Sequence, residues 1–261
     1  METPHGQKRM HTVGLYEFTG TALFVSAILM TNNSMSIAFS LFAVILIFGS
    51  ITGGHFNPAV TLGVYIQERK YRDNASLAAY IMTMQFGGAV FAHFIARAAL
   101  YENDFWAIPE SRVAKLCPQD PTNLAWPGTS VCDNASETGV YTQDGETLIN
   151  EIICTFLFVS VILMVKGKNT APTEDGILGA LTVSLTLFGL IMAGGKFGAA
   201  YNPAVGLSLG LWGIWNLASN YIAHYMYAYI LGPFIGALLA GGFHNMHKGC
   251  HDAKPVKKRT E

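Results

Sequence analysis

Two stretches of this chain contain no Asp, Glu, Lys or Arg: Phe18 to Gln67, 50 residues, and Phe197 to His247, 51 residues. A helix crossing the hydrocarbon of a bilayer needs about 20 apolar residues. Each stretch therefore holds two spans plus an uncharged segment lying between them at membrane depth. A water-facing domain is excluded by the composition, 51% hydrophobic and 13% charged over 261 residues. A formal net charge of −1 gives no overall basic field to hold a nucleic-acid backbone. Four cysteines without a CxxC pair supply neither a disulfide scaffold nor a common zinc pattern.

Together with apolar segments at 74–96, 148–165 and 177–195, the long runs predict six spans, near 12–31, 35–53, 74–98, 148–167, 177–195 and 220–243. The apolar stretch after His11 carries Glu17 and no small-residue cleavage pattern, so it is expected to remain as the first span rather than act as a leader. Basic residues gather on one side: Lys8 and Arg9 before span 1, Arg69, Lys70 and Arg72 after span 2, Lys166 and Lys168 after span 4, and five more after span 6. By the positive-inside rule that side is cytoplasmic, with both termini on it. The opposite, extracellular or luminal, side receives the loop 99–147, with eight acidic residues and only Arg112 and Lys115 as bases. Cys117 and Cys132 fall in that loop and are either bridged or free thiols; spacing does not decide between them. Asn134 is the one sequon placed to accept a glycan on this topology.

The chain repeats itself. At an offset of 134, Glu17 falls on Glu151, and 21–30 falls on 155–164 with eight of ten residues identical. At an offset of 145, Phe56-Asn57-Pro58-Ala59-Val60 faces Tyr201-Asn202-Pro203-Ala204-Val205, and at an offset of 148 Gly88-Ala89 faces Gly236-Ala237. Three spans per copy is an odd number, so the second copy enters the membrane from the opposite face, the inverted repeat common among transport proteins. The chain reads as one channel-type domain over 1–261: N-tail 1–11, first repeat 12–98, outer loop 99–147, second repeat 148–243 and C-tail 244–261.

Asparagine is among the best helix caps, and proline is favoured at the first helical position. Each Asn-Pro-Ala therefore predicts a helix start. Gly53-Gly54-His55 and Gly198-Ala199-Ala200 precede these starts as small-residue stretches of extended backbone, whose carbonyls face a cavity rather than lipid. Under inverted symmetry the two short helices meet head to head at the midplane. There their positive dipole ends oppose cations, while the Asn57 and Asn202 amides offer donors to a passing solute. A single Asn-Pro-Ala would be an ordinary capped helix; two related copies inside charge-free runs are not.

With these motifs the chain resembles the aquaporin and aquaglyceroporin family (major intrinsic proteins) over roughly residues 12–243. The resemblance rests on Glu17-Phe-Thr-Gly-Thr, Ser50-Ile-Thr-Gly-Gly-His-Phe-Asn-Pro-Ala-Val-Thr-Leu-Gly63, Gln85 with Gly88-Ala89, Glu151, Tyr201-Asn-Pro-Ala204 and Gly232-Pro-Phe-Ile-Gly-Ala237. It implies an all-α membrane protein with six transmembrane helices and two re-entrant half-helices, a pore in each protomer, and a homotetramer. By resemblance Asn57, Pro58, Ala59, Asn202, Pro203 and Ala204 form the pore midplane. The carbonyls of Gly53, Gly54, His55, Gly198, Ala199 and Ala200 form an acceptor ladder, and Glu17 and Glu151 anchor the re-entrant loops. The family's outer filter maps onto Ile37, Leu190, Ala199 and Val205, where Val205 stands in place of the family's arginine. Without that donor and charge the filter is wholly aliphatic, which favours less polar solutes and weakens the expectation of water selectivity. Gly206, Gly210, Tyr229 and Ile230 give mixed signals between water and glycerol channels.

Other features carry less. His244, His247, Cys250 and His251 have spacings that match no standard metal site, so metal is not expected. Tyr225, Tyr227 and Tyr229 read as packing or interfacial aromatics. A proton relay through Glu17 and Glu151 lacks titratable neighbours. No nucleophile triad, phosphate loop or paired-carboxylate arrangement suggests an enzyme, and no cofactor is implied. The expected partners are the lipid bilayer, water and small neutral solutes, with glycerol, urea, ammonia and hydrogen peroxide as candidates. The alternative is a channel-fold protein kept for a structural, adhesive or sensing role.

Overall fold

A computed structural model of the protein describes residues 7–31, 33–100, 144–167, 170–217 and 220–252. Cys117, Cys132 and Asn134, and with them the expected bridge and glycan, lie outside the described residues. Among the described residues the chain is all helical: α1 (Gln7–Met30), α2 (Ser34–Thr52), α3 (Pro58–Glu68), α4 (Tyr71–Leu100), α5 (Asp144–Lys166), α6 (Gly176–Gly194), a 3-10 turn (Gly195–Phe197), α7 (Pro203–Leu217) and α8 (Asn220–Asp252). Six of these, α1, α2, α4, α5, α6 and α8, are long and apolar enough to span a bilayer. The other two, α3 and α7, begin at the two Asn-Pro-Ala prolines and are half-length.

Starts and stops follow local chemistry. Asn33 caps α2 by accepting from the Met35 and Ser36 amides, and Asp175 caps α6 by accepting from the Ile177 and Leu178 amides. Both capped helices run 19 residues. Hydropathy underestimated the ends of other spans: α8 continues to Asp252 rather than stopping at 243, and α4 begins at Tyr71 rather than 74. The apolar window marks where lipid is, whereas the helix continues wherever its backbone hydrogen bonds do.

The helix contacts repeat between the halves. α1 packs on α2 and α4, as α5 packs on α6 and α8; α3 lies against α4 and α8, as α7 lies against α8 and α4. The self-related pairs α2 with α6 and α3 with α7 also touch, as a pseudo-twofold requires. Close approach is secured by glycine. A Cβ added to Gly88 of α4 would lie 2.3 Å from the Phe18 carbonyl oxygen of α1, and one on Gly236 of α8 would lie 2.5 Å from the Ile152 carbonyl oxygen of α5. Small residues at such crossings let helix backbones meet where lipid removes any hydrophobic drive. Large apolar side chains instead face outward, among them Leu15, Ile47, Ile149, Ile177, Met192 and Leu239. This multi-pass arrangement belongs in a bilayer.

Candidate functional site

The two re-entrant segments are built alike. α2 ends at Gly53 in the left-handed region (φ 89°), where its amide donates to the Gly49 carbonyl, and Gly54 follows at φ 62°. After the 3-10 turn the second segment turns at Gly198, φ 75°. Each segment then reaches an asparagine whose Oδ1 caps the next helix, Asn57 accepting from the Ala59 amide at 2.8 Å and Asn202 from the Ala204 amide at 3.0 Å. Pro58 and Pro203 stand as the first helical residues and need no donor there.

The residue before each asparagine is strained. Phe56 sits at φ 47° and Tyr201 at φ 46°, a region bulky side chains avoid at a cost of about 1–3 kcal/mol. Buried carboxylates hold both. Glu17 accepts from the His55 amide at 3.0 Å and the Phe56 amide at 2.7 Å; Glu151 accepts from Ala200 at 2.9 Å and Tyr201 at 2.8 Å. Hydrogen bonds to a charged group contribute about 1.5–3 kcal/mol each, so a two-pronged carboxylate outweighs the strain at the residue it holds. Both glutamates are fully buried. Glu17 is further fixed by Gln85, whose Nε2 donates to its Oε2 at 2.8 Å, and Thr61 Oγ1 joins Gln85 and His55 Nδ1 in the same network. The Gly88 to Gly236 register puts Pro233 where Gln85 stands in the first half, so that position supplies no such donor in the second.

Between the loops lies a reciprocal bond. Asn57 Nδ2 donates to the Tyr201 carbonyl at 2.8 Å, and Asn202 Nδ2 donates to the Phe56 carbonyl at 3.0 Å. Each amide thus ties its own helix start to the opposite re-entrant loop, and each NH2 carries a second N–H beyond the one used here. The N-termini of α3 and α7, each worth about half a positive charge, are thereby brought together.

Other residues singled out from the sequence distribute around this centre. Gly54, His55, Gly198 and Ala200 are buried, while Gly53 and Ala199 are half-buried. Ile37 and Val205 are buried in the central apolar cluster, Val205 only 2% exposed, and Leu190 and Ala199 pack against it. Tyr201 Oη donates to the Leu190 carbonyl at 3.0 Å and Tyr229 Oη to the Phe197 carbonyl at 2.7 Å, so two tyrosine hydroxyls brace the end of α6 and the turn after it. Gly206 and Gly210 sit where α7 crosses α8: a Cβ on Gly206 would lie 2.5 Å from the Tyr229 carbonyl oxygen, and one on Gly210 2.8 Å from Met226 Sδ. Larger residues would collide there.

Sequence reasoning missed several contacts. Gln67 Nε2 lies 2.9 Å from His244 Nε2, and Asn245 Nδ2 donates to the Ile66 carbonyl at 2.9 Å, pinning the far end of α3 to α8. Lys166, read only as a topology-setting base, donates from Nζ to the Gly53 carbonyl. These are single pairs joining distant parts of the chain, with no repeat partner to mark them. Among the described residues no group of three or more His, Cys, Asp or Glu side chains gathers.

The sequence profile of one family, described as Major intrinsic protein, matches residues 11–244. The chain belongs to the major intrinsic protein family. Its relatives within the family include an aquaglyceroporin of Toxoplasma gondii, 27% identical over 79% of this chain and 64% of that protein, so that slightly under two thirds of that relative's length is spanned. A glycerol uptake facilitator protein-like 6 of Lactiplantibacillus plantarum is 30% identical, covering 85% of this chain and 88% of its own length. A probable aquaporin of Oryza sativa subsp. japonica is 28% identical over 90% and 78%. In fold, this major intrinsic protein is similar to the X-ray structure of the aquaglyceroporin from Plasmodium falciparum, with a TM-score of 0.64 at 19% sequence identity, covering 91% of this chain and 95% of that one.

Proposed function

We propose that the protein is a passive membrane pore for water or small uncharged solutes, glycerol, urea, ammonia and hydrogen peroxide among the candidates. The observation that carries this reading is the reciprocal pair Asn57 Nδ2 to Tyr201 O and Asn202 Nδ2 to Phe56 O. It gathers two positive helix ends and two amide donors at one point, a centre that orients a polar, uncharged molecule and repels a cation. Non-helical backbone on either side of this centre, from Gly53 to His55 and from Gly198 to Ala200, left-handed at Gly53 and Gly54 rather than extended, supplies acceptors in sequence. At the outer filter, Ile37, Leu190, Ala199 and Val205 present aliphatic groups alone, so a solute shed of water finds no arginine to replace its lost hydrogen bonds. Solutes of lower polarity than water gain from that exchange. The protein is read as a homotetramer with both termini cytoplasmic.

Stopped-flow light scattering on proteoliposomes tests the reading, comparing water, glycerol and urea for the wild type, Val205→Arg and Asn202→Asp. Solute flux above empty vesicles is expected, with Val205→Arg lowering glycerol relative to water. Absence of flux for water and every solute would overturn the pore and favour a structural or adhesive role centred on the loop 99–147.

A further inference from the structure

Lys166 closes α5, where a long basic side chain ordinarily snorkels outward to the lipid headgroups. Here it turns inward. Its Nζ donates to the carbonyl of Gly53, 113 residues earlier in the chain and the first residue after α2. Gly53 opens the re-entrant loop that leads to Asn57, and its carbonyl is the first acceptor a solute meets from that side. The Lys166 charge is also within electrostatic reach of His55 and of Glu17, the two groups that organise the same loop. The Lys166 side chain keeps exposed area along its length, while its ammonium stands deep among protein atoms at Gly53. An ammonium is costly among lipid tails, and this one is held instead on a half-buried carbonyl where the re-entrant loop begins.

Among the described side chains the two mouths differ in chemistry. Around Val205 the filter residues are aliphatic, Ile37 buried and Leu190 and Ala199 half-buried; at Gly53 a cation stands on the acceptor ladder. An ammonium has three N–H groups. With one on Gly53, two remain to meet an oxygen of an incoming solute, and the full positive charge faces anything cationic.

We propose that Lys166 is the specificity-determining cation of this pore, placed at the mouth on the side of the termini and excluding cations and protons while admitting oxygen-bearing neutral solutes. This rests on the pore reading. It differs from the barrier of the half-helix ends in being a removable side-chain charge. Removing a fixed charge of the same sign as the entering ion lifts that ion's exclusion from the cleft, and focused fields change local ion concentration by roughly ten-fold or more, so the leak is measurable.

The experiment uses the full-length protein in vesicles, with neutral-solute flux by light scattering and proton and sodium entry by an internal pH dye and a sodium-sensitive dye on one preparation. Lys166→Met and Lys166→Gln are expected to raise the ratio of cation leak to solute flux about ten-fold, whereas Lys166→Arg keeps the wild-type ratio. Gln retains a donor for Gly53 and drops the charge, so it isolates the charge if Met fails to fold. A Gln variant that conducts solute and is as cation-tight as the wild type overturns the proposal and leaves Lys166 as a tether of α5. A wild type that carries no neutral solute overturns the pore reading instead, and this proposal falls with it.

Discussion

At the scale of the residue, the molecule is governed by two carboxylates and the two strained backbones they hold. They are not equivalent. Replacing Glu151 by Gln puts an amide NH2 opposite one of the donors of Ala200 or Tyr201, losing a charge-assisted bond and setting donor against donor. An unsatisfied buried group costs about 1–3 kcal/mol, so Glu151→Gln should lower the melting temperature in detergent. Glu17→Gln should cost less, because the Gln85 amide can turn its oxygen toward the new NH2, whereas Pro233 at the related position offers nothing. Equal losses for the two variants would show that Gln85 contributes nothing to this anchor. The glutamates, the asparagines and the prolines were legible because each occurs twice in register, and duplication separates a built motif from an ordinary cap. Lys166, Gln67 and His244 occur once, and only the folded chain brings them to Gly53, α3 and each other.

At the scale of the element, glycine decides how closely helices cross. A side chain on Gly236 must displace the α5 backbone at Ile152, not a flexible side chain. Overpacking costs about 1–3 kcal/mol and more when backbone must move. Gly236→Val and Gly88→Val are expected to abolish a monodisperse peak on size exclusion. Gly189→Ala, which meets nothing within 4 Å, should elute as the wild type does. A normal peak for Gly236→Val would mean that α5 and α8 pack less tightly than this. Hydropathy placed all six spans, since lipid imposes a length that a charge-free window reports. It misjudged where α8 ends by nine residues, because past the hydrocarbon the run through Asp252 stays helical, its start fastened to α3 by His244 and Asn245. The start of each half-helix was also readable, from asparagine and proline together; the end of α3, at Glu68 before Arg69 in the left-handed region, carried no such signal.

At the scale of the whole molecule, six spans put the start of α1 and the end of α8 on one face, and we propose from the basic residues gathered there that this face is cytoplasmic. Two thiols check it. Cys250 is exposed near the end of α8 and Cys154 is buried in α5. With Cys117 and Cys132 changed to serine, a membrane-impermeant maleimide applied to intact cells should label neither, and after permeabilisation should label Cys250 alone. Labelling of Cys250 before permeabilisation would invert the topology. The same connectivity has a consequence for synthesis. The base of α3 is fastened by Asn245 to Ile66, 179 residues apart, and by His244 to Gln67. At about 5–20 residues per second of translation, roughly 10–35 seconds pass between making the first half-helix and making the helix that secures it. Throughout that interval the side of α3 that meets α8 stands without its cover. The nascent first half is thus a structure with an unfilled seat, and α8, made after every other helix described, is the one that closes it.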